Sequence, residues 1–161
     1  MWKTTLDIKT CLICRKRNGK IYRINEKVNP SPPIHPNGRC IIERLGVLLA
    51  GTATNNGVNG ADWYLKKYGK LPGYYITPDR AINKGWNRKK GDLYLKCPGK
   101  MIYGGIYNNK NGHLPSAPNR IWYEADINYT SERRGTDRIV FSNDGLIFVT
   151  YDHYYTFIEI E

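Results

Sequence analysis

The hydrophobic rhythm of the chain changes partway along. Val58, Ala61, Leu65 and Tyr68 recur at i, i+3, i+7 and i+10, lining one face of a helix that ends near Gly69. Thr77-Pro78-Asp79 supplies a hydroxyl cap, a proline suited to the first helical position and an acid for the first turn, so a second short helix starts there and Gly85 closes it. After Lys100 the apolar residues fall in β-prone runs: Met101 to Tyr107, Ile121 to Ile127, Arg138 to Phe141, Leu146 to Thr150 and Tyr155 to Ile160. Asn111-Gly112 and Asn143-Asp144-Gly145 provide turns. Helices first and strands after predict an α+β domain whose helices pack on one face of an antiparallel sheet.

Upstream the pattern is different. Residues 1–44, ending at Arg44, are rich in Cys, Pro, Asn and basic side chains, and Pro30-Ser31-Pro32-Pro33 forms an extended, helix-breaking stretch. Residues 45–56, with Gly46 and Gly51 ahead of Asn55-Asn56, read as a linker. Residues 57–161 are then the folded domain, and 161 residues suit a compact domain of roughly 100 residues with a small appendage.

Charge narrows the partners. The formal net charge is +11, and a basic surface attracts nucleic acid or anionic membrane without choosing between them. Residues 1–56 hold ten Lys/Arg against three Asp/Glu, so most of the excess lies in that segment. No apolar run approaches the roughly 20 residues that cross a bilayer, so a soluble chain without membrane insertion is expected. Met1 to Lys20 lacks the apolar stretch of a signal peptide, so any export is expected to use another route or a larger parent protein, and localisation is left open.

RNA cleaves itself when its 2′-hydroxyl is deprotonated and the leaving 5′-oxygen is protonated. A protein that promotes this needs a base and an acid flanking one phosphate, with cations for the charge that builds there. The C-terminal domain offers Glu124 in a strand-like run, Arg134 and Arg138 between strands, and His153 near the last strand. Free carboxylates titrate near about 4.3 and free imidazoles near about 6.5, so the two hold opposite protonation states at mildly acidic to neutral pH. Spacing by itself is a weak signal, because a lone Glu or His on a strand is more often a structural hydrogen-bonding residue.

The wording of the segment is more specific. It runs Lys70-Leu71-Pro72, Tyr75-Ile76-Thr77, Gly85-Trp86, Pro98-Gly99-Lys100, and Gly112 through Leu114-Pro115. Trp122-Tyr123-Glu124-Ala125-Asp126-Ile127-Asn128-Tyr129-Thr130-Ser131 follows, then Ser142 through Ile147, and Thr150-Tyr151-Asp152-His153-Tyr154 ahead of Thr156-Phe157. From about residue 55 to the end this closely resembles the barnase-like family of microbial, guanyl-preferring ribonucleases. The resemblance implies N-terminal helices on a five-stranded antiparallel sheet whose concave face binds RNA, with catalysis that needs no cofactor. It implies Glu124 as general base and His153 as general acid, Arg134 and Arg138 at the scissile phosphate, and Tyr154 beside the acid on the substrate. Asp126 matches a buried acid that pairs with the arginines, and Arg120 with Asp144 matches a structural salt bridge. The family's partners imply an acidic, barstar-like inhibitor besides the RNA substrate.

Two departures bear on this expectation. Tyr107, Asn108, Asn109, Lys110 and Asn111 occupy the base-recognition positions, but Lys110 stands where the family usually has Arg and Asn111 where it has a Glu that accepts from guanine. A neutral amide reproduces that pairing less well, so guanine preference is expected to be weaker or different. Pro78 stands where barnase-like enzymes carry a phosphate-stabilising lysine, and Lys84, Lys110 and Arg80 are the nearby cations able to take its place.

The N-terminal segment carries its own chemistry. Cys11 and Cys14 form C-x2-C, and His35 and Cys40 follow in His35-Pro36-Asn37-Gly38-Arg39-Cys40, a set able to close a tetrahedral structural Zn2+ site in a small zinc-knuckle-like fold. Reduced thiols or a disulfide are the alternatives, and Cys97 reads as a packed free thiol. With Gly19-Lys20, the segment resembles the C-terminal tail of phage head morphogenesis (minor head) proteins, although Gly38 replaces a Cys often found there. The leading expectation is an endoribonuclease, a toxin, that cleaves single-stranded RNA through a 2′,3′-cyclic phosphate. The alternative is a catalytically weakened nucleic-acid-binding or phage structural module.

Overall fold

The computed structural model describes residues 1–4, 10–22, 27–43, 45–131 and 133–161. Arg44, where the sequence places the end of the Cys/His segment, lies outside the described residues. The chain forms two compact units, one of Met1–Gly46 with Asn109–Asn119, the other of Val47–Asn108 with Arg120–Glu161.

In the first unit, β1 (Trp2–Lys3) pairs antiparallel with β2 (Ile41–Ile42), and α1 spans Leu12–Arg17. The Cys11 sulfur caps α1 by accepting from the Cys14 N–H at 3.4 Å, and Arg15, Lys16 and Arg17 crowd the last turn, where the helix dipole favours cations. Gly19 leaves the helix at φ +83°, a conformation that disfavours a side chain. Trp2, Cys14 and Cys40 form a small buried cluster with Cys11, Tyr22, Val28 and Ile34 against it.

The second unit holds β3 (Val47–Leu48), a 3-10 turn at Gly57–Asn59, α2 (Ala61–Tyr68), β4 (Tyr75–Ile76), α3 (Pro78–Asn83) and α4 (Leu93–Lys96). Strands β5 (Met101–Tyr107), β6 (Trp122–Asp126), β7 (Arg138–Ser142), β8 (Ile147–Thr150) and β9 (Ile158–Ile160) follow. Together the strands form one sheet in the order β3-β9-β8-β7-β6-β5-β4. Five consecutive antiparallel strands, β5 to β9, make its body, and the two-residue β3 and β4 add parallel to its outer strands. Among the described residues the expected five strands are therefore extended to seven.

The helices begin and stop where their caps direct. Thr77 accepts from the Arg80 N–H at 3.4 Å ahead of Pro78, and Gly69 ends α2 at φ +66°. Ala61 and Leu65 of α2 pack on Ala125, Ile139, Ile147, Val149 and Ile160 of the sheet. A second cluster joins Ile76, Ala81, Trp86, Leu93, Cys97 and Ile102, placing Cys97 as a buried thiol.

Residues 47–56, expected as a linker, are built into this unit. Val47 and Leu48 pair with Glu159 and Ile160. The fully buried Asp62 carboxylate accepts from the N–H groups of Gly51 (2.7 Å) and Ala53 (3.0 Å) and from the Thr54 hydroxyl (2.9 Å). Glycine-rich backbone that would otherwise be loose is thus fixed by an acid in the first turn of α2, which a composition-based reading does not register.

Candidate active site

Glu124 sits in β6, in register with Val140 of β7 and Gly105 of β5. The β5–β6 register shifts between Tyr103 and Gly105, and the intervening Gly104 faces the Glu124 side chain. A Cβ on Gly104 would lie 2.8 Å from Glu124 Oε1, so the glycine bulge makes the space the carboxylate occupies. The Tyr154 hydroxyl donates to Glu124 Oε2 at 2.6 Å. Burial raises the Tyr154 pKa, and the adjacent Glu124 carboxylate raises it further, so the phenol keeps the proton it donates.

His153 and Tyr154 both adopt left-handed backbone, with φ +56° and +75°. Such conformations cost of order 1–3 kcal/mol each in non-glycine residues, so the turn must be held from outside. Asp152 does this. Its Oδ1 accepts from the Thr150 hydroxyl (2.9 Å) and from the N–H groups of Tyr155 (3.1 Å) and Thr156 (2.9 Å), and its Oδ2 accepts from the Thr156 hydroxyl (2.6 Å). Burial opposes the charge on Asp152, but these hydrogen bonds outweigh it and hold its pKa below the usual carboxylate value. The turn sets the exposed His153 ring 4.7 Å from that of Tyr154, and Tyr154 stacks on Tyr107 at 5.1 Å. Tyr154 therefore touches both Glu124 and His153.

Asp126, buried at the end of β6, holds both arginines. Arg134 donates to it through Nε and, at 2.7 Å, through Nη2, and Arg138 Nε lies 3.0 Å from Oδ1. Arg138 is 7% exposed and also donates to the carbonyls of Gly135 (2.8 Å) and Asp137 (2.7 Å). Burial works against the Arg134 charge, yet the Asp126 carboxylate more than compensates and raises its pKa. Outside this group, Arg120 and Asp144 form the salt bridge that the resemblance implies, bidentate through Nε to Oδ1 (2.9 Å) and Nη2 to Oδ2 (2.7 Å), and Arg120 lowers the Asp144 pKa to about 2.

Beside the arginines lies a cleft of about 360 Å³ lined by Trp86, Arg88, Lys89, Gly91, Leu93, Arg133, Arg134 and Arg138. Five cationic side chains converge there. Pro78 opens α3, and the candidates Lys84, Lys110 and Arg80 are absent from the cleft lining; Arg88, Lys89 and Arg133 occupy it instead. Sequence reading missed these three because they come from two loops far apart in the chain.

The base-recognition candidates divide between the units. Tyr107 and Asn108 belong with the sheet, whereas Asn109, Lys110 and Asn111 belong with the first unit. Asn109 clasps Leu114 from both sides, its Nδ2 donating to the carbonyl (3.0 Å) and its Oδ1 accepting from the N–H (3.1 Å). Asn111 Nδ2 lies 3.0 Å from His113 Nδ1, and Lys110 is exposed.

Residues 60–161 match the ribonuclease family profile. The chain is 48% identical over 108 residues to a ribonuclease of Heyndrickxia coagulans, covering 67% of this chain and 99% of that protein. It is equally similar to ribonucleases of Bacillus intermedius and Bacillus pumilus, 48% identical over 108 residues and covering 67% of each. The chain belongs to the ribonuclease family. Among solved structures, ribonuclease Sa2 with guanosine-2′-cyclophosphate aligns at 25% identity over 54% of this chain and 94% of that one, with a TM-score of 0.34. This ribonuclease is an endoribonuclease of the barnase-like group, and enzymes of that group act without a metal cofactor.

The ribonuclease match begins after the Cys/His segment. There the ligand atoms of Cys11, Cys14 and His35 lie within 4.8 Å of one another, with Cys11 Sγ 2.9 Å from His35 Nε2. Cys40, the fourth expected ligand, shares the buried cluster with Cys14, but its sulfur donates to the Thr4 hydroxyl at 3.2 Å. All four cysteines of the chain are free thiols. Among the described residues no helix is long and apolar enough to cross a membrane.

Proposed function

We propose that this ribonuclease cleaves single-stranded RNA by transphosphorylation, with Glu124 taking the 2′-hydroxyl proton and His153 protonating the departing 5′-oxygen. The attacking 2′-oxygen bonds to phosphorus as the P–O5′ bond breaks, leaving a 2′,3′-cyclic phosphate. In the hydrolytic step the roles exchange: His153 removes a proton from water and Glu124 returns one to the 2′-oxygen. The observation that carries this reading is the contact of Tyr154 with both groups, through a 2.6 Å hydrogen bond to Glu124 and a ring contact to His153. Arg134 and Arg138, oriented by Asp126, supply charge-assisted hydrogen bonds to the phosphorane as its negative charge grows. Cleavage measured in excess chelator is expected to persist, to pass through a cyclic phosphate that becomes a 3′-monophosphate, and to follow a bell-shaped pH profile. Loss of activity on chelation, or products bearing 5′-phosphates, would overturn the reading.

The cationic cleft extends the substrate path beyond the reacting phosphate, with Arg88, Lys89 and Arg133 supplying the charge that Pro78 cannot. Replacing Arg88 and Arg133 with alanine is expected to raise KM and to flatten the salt dependence of log kcat/KM by about 0.7 for each phosphate no longer neutralised, as for single strands. An unchanged salt slope would remove the cleft from the RNA path.

Asn111 presents an amide where a carboxylate would read guanine, which supports a weakened guanine preference. An active ribonuclease endangers the cell that makes it, and this supports a toxin role with an acidic, barstar-like inhibitor seated on the cationic surface. The Cys/His segment, by its resemblance to phage head morphogenesis tails, is then the remnant of a carrier.

A further inference from the structure

The Cys/His cluster and residues 109–113, which include the second part of the base-recognition stretch, belong to one compact unit, and α1 runs from one to the other. At its start, Cys11 and Cys14 place two sulfurs one turn apart, and His35 brings a ring nitrogen within 4.8 Å of both. A tetrahedral ion with bonds of about 2.3 Å to sulfur and about 2.1 Å to nitrogen needs such a spread, and two thiolates with an imidazole favour a zinc-class ion over a hard, oxygen-loving one. Cys40, buried beside this set, is the one remaining thiol of the unit.

At the other end, α1 passes through Asn18 into Gly19, whose backbone lies against the His113 imidazole. A Cβ at Gly19 would fall 2.9 Å from His113 Nε2. Two residues on, the Ile21 N–H donates to the His113 carbonyl at 2.6 Å. His113 in turn contacts Asn111 twice, ring nitrogen to Nδ2 at 3.0 Å and N–H to Oδ1 at 3.3 Å. Six helical residues span only about 9 Å, so α1 is a short, stiff strut between the sulfur cluster and the loop.

We propose that Cys11, Cys14, His35 and Cys40 bind one zinc-class divalent ion, and that this ion, acting through α1, Gly19 and His113, sets the conformation of the base-recognition loop. Metal then governs substrate affinity and base preference in an enzyme whose chemistry uses none. Binding displaces the thiol protons, and Cys40 gives up its hydrogen bond to Thr4 for the ion. The consequence for substrate rests on reading residues 107–111 as the base-recognition stretch; the metal site and its link to His113 do not.

The test begins with metal-free full-length protein titrated with Co2+. One equivalent is expected to give the visible bands of tetrahedral cobalt and thiolate-to-cobalt charge transfer. The pair Cys11→Ser with Cys14→Ser abolishes both, and Cys40→Ser weakens the charge transfer. In a Glu124→Ala background, which needs no turnover, zinc is expected to shift the His113 imidazole resonance. With active protein, zinc is expected to change KM for guanine- against adenine-containing dinucleotides by about fivefold or more, within the range of allosteric couplings, with kcat little altered. His113→Ala keeps the cobalt spectrum and loses the KM response. Absence of the tetrahedral spectrum overturns the site. A normal spectrum with an unmoved His113 resonance overturns the coupling, and a moved resonance with equal KM values in the metal-free and loaded protein overturns the reading of residues 107–111 as the base-recognition stretch.

Discussion

Replacing Glu124 with alanine lowers kcat/KM for RNA by about 10²- to 10⁴-fold, the range that a positioned general base contributes, and leaves the fold nearly as stable as before. The carboxylate occupies a gap that Gly104 opens beside the sheet, so its removal leaves space at a site already partly open to solvent, with no collapse of packed core. What the fold itself gives up is the hydrogen bond from Tyr154, worth on the order of 1 kcal/mol. His153→Ala should cost a similar factor, and the double variant far less than the product of the two, because acid and base serve one transition state. Steady-state kinetics on a dinucleotide together with a thermal melt separate these effects. A Glu124→Ala protein with nearly full activity would end the acid–base reading.

Asp126→Ala has the larger effect on stability. Its carboxylate is 2% exposed and compensates two guanidinium groups, one of them on Arg138, which is itself 7% exposed. Removing one partner of a buried ion pair strands the other charge and costs about 3–5 kcal/mol. In a domain of this size that lowers the melting temperature by more than about 12 °C. Activity falls as well, since Arg134 and Arg138 lose the group that aims them. Urea unfolding of the variant, with m unchanged, measures the loss. A change below about 1 kcal/mol would mean that solvent already screens the triad.

The sequence was most informative where a signal repeats or a cap is spelled out. The spacing of Ala61 and Leu65 and the Thr77-Pro78 cap placed α2 and α3 within a few residues, but Val58 lies in the 3-10 turn ahead of α2 and both it and Tyr68 are exposed, so the expected apolar face is narrower than the four-residue pattern. The β-prone runs located all five antiparallel strands, although the last begins at Ile158, later than Tyr155, because residues 152–156 are tied up by Asp152. Elements one turn or two residues long, such as α4, β3 and β4, are too brief to show a period, and they exist because of partners distant in the chain. The same reason hid Asp152, which acts through the backbone on its neighbours, and the convergence of Arg88 and Lys89 with Arg133. Glu124, His153 and the two arginines become candidates only through the family wording around them, since isolated Glu and His residues carry no distinguishing pattern. The grouping of loop 109–119 with the N-terminal segment has no trace in local sequence at all.

The two-residue strands at either margin of the sheet have a further consequence. An exposed outer strand offers a row of unpaired amides and carbonyls on which another molecule can extend the sheet, and long flat margins of this kind seed aggregation. Here Val47–Leu48 and Tyr75–Ile76 cover the outer faces of β9 and β5 and are themselves too short to template more than a pair of hydrogen bonds. Each rim of the sheet thus terminates in a stub with little backbone left over for a further strand to extend.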